Sequence, residues 1–187
     1  MRLFAALDFP EAIRDAIRAL VSRLKPLAKD ARWVRVEGMH VTLKFIGYAE
    51  PEQREQIVAA LALIRSNAPV EMRFRGLGFF PTERRPRVFW CGIDASPNLA
   101  ELAAHIERAL LPLGVATEQR AFVPHLTLAR FDSSHGLGEL VRMSHQIQSL
   151  DLGATREGQF HLFESVLKRS GAEYTKLRSF SFAKEPA

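Results

Sequence analysis

Two short segments share one pattern: His40-Val41-Thr42-Leu43 and His125-Leu126-Thr127-Leu128. Residues two apart on a strand share a face, so His40 and Thr42 project together, as do His125 and Thr127. Val41, Leu43 and Phe45 on one strand, and Leu126 and Leu128 on the other, then turn toward a core. Imidazole titrates near neutrality, so two of them can supply a general base and a general acid to a single in-line displacement. Two hydroxyls can donate to the non-bridging oxygens of a phosphate as charge builds in the transition state. A phosphodiester with an internal leaving group suits this set: one histidine takes a proton from water and the other gives one to the departing ribose oxygen. Metal ligation by His40 and His125 is the rival chemistry, but neither motif carries the Cys or acidic residue that would complete a site. No metal and no other cofactor is expected.

The surrounding pattern has to position these strands. Residues 3–7 read as a short strand, and residues 11–29 as a helix whose stripe is Ile13, Ile17, Leu20, Val21 and Leu24. Residues 40–48 alternate as a strand, residues 51–66 form a helix opened by Pro51, and residues 70–79 and 87–94 are strands joined by a turn. The second half repeats the order: a helix over 97–112, a strand over 122–131, a helix over 137–147, and a hairpin of 159–168 with 174–182 across Ser170-Gly171. The helix ahead of each motif histidine starts 29 or 28 residues before it, and the later hairpin turn lies 43 or 45 residues after it. The repeat predicts one bilobal α+β domain with lobes at about 1–95 and 96–187, related by a pseudo-two-fold axis around a central cleft. Each lobe would be a mostly antiparallel sheet with helices on its outer face. Gly76-Leu77-Gly78 lacks the third glycine and the following helix of a dinucleotide-binding turn, which argues against nucleoside triphosphate chemistry.

Composition sets the broad limits. The chain has 187 residues, 47% apolar and 25% charged, enough to bury a core. Its 26 Lys and Arg against 21 Asp and Glu leave a net +5, which favours a polyanionic partner without naming it. The single cysteine, Cys91, lies in an apolar run and excludes an intrachain disulfide; a buried, inert thiol is expected. The first ten residues do not fit a signal peptide and no stretch is long and apolar enough to span a membrane, so a cytoplasmic protein without membrane attachment, and a monomer, is expected.

Several further segments carry a family likeness. Arg2-Leu3-Phe4-Ala5-Ala6-Leu7-Asp8, the stretch from Trp33 to Gly47 with His-Val-Thr-Leu-Lys-Phe-Ile-Gly, Phe122-Val123-Pro124-His125-Leu126-Thr127-Leu128-Ala129-Arg130, and Ser165-Val166-Leu167 with Gly171 and Tyr174 resemble the 2H phosphoesterase superfamily. Within it, they are similar to the RNA 2′,3′-cyclic phosphodiesterases, also described as 2′-5′ RNA ligases. The resemblance covers essentially the whole chain. It implies a bilobal fold with a central cleft, and metal-independent opening of a 2′,3′-cyclic phosphate to a 2′-phosphate. It also implies His40 as proton donor to the leaving 3′ oxygen, His125 as the acceptor that activates water, and Thr42 and Thr127 as phosphate ligands. The repeat alone leaves the order of the two histidines open.

Arg130 matches an arginine of the family that looks like a phosphate ligand, although strict alternation puts it opposite His125 unless the strand bulges. Lys44 shares parity with His40 and Thr42 and is a candidate for the cleft. Phe4, Trp33 and Phe45 are candidate base-stacking platforms, with Phe45 at a core-parity position. Arg73, Arg75, Arg84, Arg85 and Arg87 could receive an RNA backbone or simply keep a hairpin turn solvated. His105, His135, His145 and His161 share no ligand spacing. The expected partners are RNA ends or small nucleotides bearing a 2′,3′-cyclic phosphate; tRNA fragments and ADP-ribose 1″,2″-cyclic phosphate offer the same reacting group. The alternatives are 2′-5′ ligation of RNA at the same site, and an RNA-binding module without turnover.

Overall fold

Alternating burial along the strands, and apolar stripes along the helices, produce two antiparallel sheets with helices packed against them. The computed structural model describes residues 1–168 and 171–182. In chain order the elements are β1 (Arg2–Leu7), α1 (Glu11–Leu24), β2 (Arg32–Trp33), β3 (Val41–Tyr48), α2 (Pro51–Leu61), β4 (Val70–Phe80), β5 (Val88–Ala95), α3 (Asn98–Leu110), β6 (His125–Arg130), α4 (Gly138–Gln146), β7 (Asp151–Glu157), β8 (Gln159–Lys168) and β9 (Gly171–Ser181). The first sheet runs β3-β1-β8-β9 and the second β2-β6-β5-β4-β7, with every pairing antiparallel. The strands that begin at the two motifs, β3 and β6, lie next to each other where the sheets meet.

The helices behave as their stripes predict. α1 buries Ile13, Ile17, Leu20 and Leu24, and α3 buries Leu99, Leu102, Ala103, Ile106 and Leu110. These join the inner faces of both sheets in one core that includes Leu7, Val41, Phe74, Phe89, Leu126 and Phe160. A second, smaller cluster of Phe4, Ala6 and Phe163 lies on the other face of β1 and β8. β1 thus sends Leu3, Ala5 and Leu7 into the main core, and Arg2, Phe4 and Ala6 to the opposite, concave side. Among the described residues no helix is long and apolar enough to cross a membrane.

The α+β, two-lobed, antiparallel architecture is as expected, but residue 95 does not divide the sheets. The first sheet takes β1 and β3 from the N-terminal half and β8 and β9 from the C-terminal half; the second takes β4 and β5 together with β6 and β7. The hairpin that follows each motif pairs with a strand of the other half, β5 with β6 and β8 with β1. Spacing repeats survive such an exchange unchanged, because they record hairpin length and not the edge to which a hairpin adds. Two short strands went unpredicted: β2, which has only two residues, and β7, whose Asp-Leu-Gly-Ala-Thr-Arg-Glu lacks a strong apolar alternation. The predicted helix over 51–66 ends at Leu61, and the strand over 122–131 shortens to His125–Arg130. The 159–182 hairpin forms as β8 and β9; Ser170 of its turn lies outside the described residues.

Candidate active site

The motif strands carry the same irregularity at the same place. Opposite β1, Thr42 pairs with Ala6 and Lys44 with Ala5, leaving Leu43 as an extra residue. Opposite β5, Thr127 pairs with Trp90 and Ala129 with Phe89, leaving Leu128 as the extra one. A β-bulge of one residue reverses the parity of everything after it. The residue four after each histidine, Lys44 or Ala129, therefore turns inward and is buried, and the residue five after it, Phe45 or Arg130, turns to the side of the histidine and threonine.

His40, Thr42, Phe45, His125, Thr127 and Arg130 all line one cleft of about 470 Å³. That volume suits a small-molecule or nucleotide site. Phe45 is 61% exposed, contrary to its core-parity reading. Arg130 lines the cleft because of the bulge in β6, despite strict alternation placing it opposite His125. Lys44 is a correction: it is buried, and its Nζ donates to Glu107 Oε1 at 2.9 Å and to the carbonyl of Ala116 at 2.5 Å, away from the cleft. Trp33 is another: its Nε1 donates to the carbonyl of Ala28 at 3.0 Å and its ring meets Phe89 edge-on, so it packs on the core. Phe4 lines the cleft but is only 2% exposed; it lies under His40, with ring centroids 4.3 Å apart, and offers no open face to a base.

The two histidines are held alike. His40 Nδ1 is 2.9 Å from the carbonyl of Gly38, and His125 Nδ1 is 2.8 Å from that of Val123, in each case two residues back. A carbonyl can only accept, so Nδ1 carries the hydrogen and Nε2 is the nitrogen left with a lone pair for the cleft. Aromatic packing fixes each ring. His40 stacks on Phe4, which stacks in turn on Phe163, and Tyr174 meets His40 edge-on at 5.0 Å. His125 meets the edge of Phe80, which packs on Trp90. A Cβ at Gly78 would come within 2.3 Å of the Trp90 ring, so this wall requires glycine there. Nothing in the local sequence pattern marks Phe80 or Phe163 as site residues, and Tyr174 is marked only by the family likeness.

The turn that carries Gly38 has its own brace. Arg14 Nη1 donates to the carbonyls of Val36 at 2.6 Å and Met39 at 3.2 Å, while its Nη2 donates to Asp8 at 2.5 Å. Lys176 donates to the other oxygen of Asp8 at 2.9 Å.

The electrostatics favour neutral imidazoles. Burial pushes His40 down to about 4, opposed by its bond to Gly38 and by the charge of Asp8, and reinforced by Arg14 and Arg130. His125 is also lowered, first by burial and then by Arg130, against its bond to Val123. His161 is buried beside Ser179 and is lowered to about 4 by burial and by Lys176. Cys91 is buried and pushed up to about 12, which makes it an inert thiol at neutral pH. Of the arginine-rich stretch, Arg73 pairs with Asp151, Arg75 with Asp94, and Arg87 donates to the carbonyl of Asp132. Among the described residues no group of three His, Cys, Asp or Glu is placed to hold a metal ion.

Residues 7–90 and 93–174 match the family model described as LigT like Phosphoesterase. The chain is 29% identical over 181 residues to a protein of Methanothermobacter thermautotrophicus named RNA 2′,3′-cyclic phosphodiesterase, covering 96% of this chain and 98% of that one. It is 34% identical over 191 residues to a protein of the same name from Thermus thermophilus, covering 99% and 92%. Among solved structures, TT0787 of Thermus thermophilus superposes with a TM-score of 0.79 at 27% identity, over 97% of this chain and 98% of that one. E. coli LigT complexed with 3′-AMP superposes with a TM-score of 0.78 at 26% identity, over 98% of each.

Proposed function

Because the chain belongs to the LigT-like phosphoesterase family, we propose that it is an RNA 2′,3′-cyclic phosphodiesterase whose two His-x-Thr motifs hydrolyse the cyclic end to a 2′-phosphate without a metal ion. The observation that carries this reading is the matched pair of imidazoles, each tied through Nδ1 to the carbonyl two residues back and each leaving Nε2 to one cleft. His125 Nε2 takes a proton from water as the water oxygen bonds to phosphorus. The bond from phosphorus to the 3′ oxygen breaks, and His40 Nε2 gives that oxygen its proton. Thr42 and Thr127 donate to the non-bridging oxygens, and the Arg130 guanidinium faces their charge. Phe45 supplies the open aromatic face for the base.

With His40 drawn down to about 4, few free molecules carry its proton at neutral pH. The anionic phosphate changes this, since a negative charge beside the ring favours the imidazolium. Hydrolysis and 2′-5′ joining can share this site because joining is the same displacement with a ribose 5′-hydroxyl in place of water, and rates measured on equal substrate separate them. An RNA-binding module has no need of two tautomer-fixed imidazoles in one cleft.

The test is incubation of chelator-treated protein with an oligoribonucleotide ending in a 2′,3′-cyclic phosphate, with products identified by mass and by treatment with a phosphatase specific for 3′-phosphates, which leaves a 2′-phosphate in place. The expected product ends in a 2′-phosphate, and His40→Ala and His125→Ala each lower kcat by about 10² to 10⁴. Full activity in either variant, or a 3′-phosphate product, overturns the proposal.

A further inference from the structure

We infer that the outer end of the cleft holds a second phosphate, the phosphodiester that joins the reacting nucleotide to the one before it, and that Arg2 is its ligand. This rests on the function proposed above and adds to it a ligand for the linkage upstream of the reacting nucleotide.

Arg2 lines the same cleft as the two histidines and shares the concave face of β1 with Phe4 and Ala6. It lies two residues from Phe4, about 6.5 Å along the strand, and Phe4 is the ring on which His40 stacks. Arg2 is therefore set back from the reacting centre by roughly one step of a nucleic-acid chain.

The lining contains two arginines, two histidines, two threonines and a serine, but no Asp or Glu. Neither Arg2 nor Arg130 forms an ion pair among the described residues, whereas Arg14, Arg18, Arg32, Arg73 and Arg75 each have an acidic partner. The centre already supplies Thr42, Thr127 and Arg130 to the cyclic phosphate, so a cyclic mononucleotide leaves the Arg2 guanidinium unused.

The immediate neighbours of Arg2 are those of a nucleotide subsite. In register, Tyr48 of β3 stands directly opposite it on one side and Ser165 of β8 on the other. Directly opposed residues share a face, so a hydroxyl and an aromatic ring flank Arg2 on that face. Tyr48, on the edge strand β3 and outside the cleft lining, is 70% exposed; Leu167, two residues past Ser165 on β8 and part of the lining, is equally so. A cation able to hold a phosphodiester, beside an uncovered aromatic face able to take the adjoining base, is the recurring arrangement for single-stranded RNA.

The charge of the upstream linkage is the quantity to vary. Two dinucleotides ending in a 2′,3′-cyclic phosphate are compared, one with a phosphodiester between its nucleosides and one with an uncharged methylphosphonate. The wild-type protein is expected to favour the charged linkage by about tenfold in kcat/KM at low salt. In Arg2→Gln this ratio falls to near one, and in Arg2→Lys it is intermediate. The Kd of the matching 2′-phosphate products gives the same ratio without requiring turnover. A ratio near one in the wild-type protein, or one unchanged in Arg2→Gln, overturns the subsite. Failure of both dinucleotides to react, with the charge preference intact in Kd, overturns the catalytic reading and leaves the subsite standing.

Discussion

Both motif histidines lie below the ordinary imidazole value of 6.5, so the pH profile of the free protein is expected to peak on the acid side of it. In the mechanism proposed, the working form carries one proton on the pair, and kcat/KM reports the protonation of the free enzyme. Its two limbs belong to the pair jointly, and the maximum falls between them. His40 has moved from 6.5 to about 4, which makes charging it costlier by about 3 kcal/mol. Only about one molecule in a thousand carries that proton at pH 7. Above the upper limb, kcat/KM drops about tenfold per pH unit, so on the alkaline side of neutrality it is expected to fall continuously, approaching about 100-fold over two pH units.

The assay is initial-rate hydrolysis of a cyclic-phosphate oligonucleotide, well below KM, from pH 4 to 9. At saturation the kcat limbs should lie higher, because the bound phosphate raises both histidines. Phe163→Ala removes part of the stack beneath Phe4 and His40, and is expected to raise the His40 limb by admitting water. A kcat/KM profile that is flat or rising from pH 7 to 8.5 would refute the claim that burial sets these values.

Two predictions concern stability. Lys44→Met leaves Glu107 without its buried partner while keeping the apolar stem; because the Glu107 side chain is 28% exposed, a loss of about 2 kcal/mol is expected in urea unfolding. A cleft lysine would instead show a kinetic loss with unchanged stability. The second concerns acid. Above pH 6.5 both folded and unfolded histidines are neutral; as pH falls, the unfolded chain takes up protons that native His40 and His161 refuse until about 4. Stability is therefore expected to decline from pH 6.5 to about 4, by up to about 3 kcal/mol from His40. His161→Gln should flatten part of that decline in denaturation curves recorded across the range.

The sequence reading reached the two motifs, the helices and most strands because these rest on periodicity, which local residues control. It missed β2 and β7 for a different reason. Arg32–Trp33 is a strand only because Ala129 and Arg130 stand beside it, and β7 forms because β4 offers it an edge. The exchange of hairpins between halves is a tertiary choice of the same kind. Trp33 and Phe4 show a further limit: an aromatic residue near a motif looks alike in sequence whether its ring is open to a ligand or packed beneath a histidine.

The misplacement of Lys44 and Phe45, and the difficulty with Arg130, have one cause. Alternation counted outward from each histidine fails at the residue after the threonine, where Leu43 and Leu128 are each inserted into the ladder. Without those bulges, Lys44 and Ala129 would face the cleft, and Phe45 and Arg130 would be buried. With them, the fifth residue after each histidine joins the cleft, an aromatic face on one side and a guanidinium on the other. The two lobes thus use the same backbone device to present different side chains, an aromatic ring and a guanidinium. A repeat that is nearly symmetric in its histidines and threonines becomes asymmetric at the position a one-residue bulge exposes, which is where the proposed substrate, with a base at one end and a phosphate at the other, would need it to be.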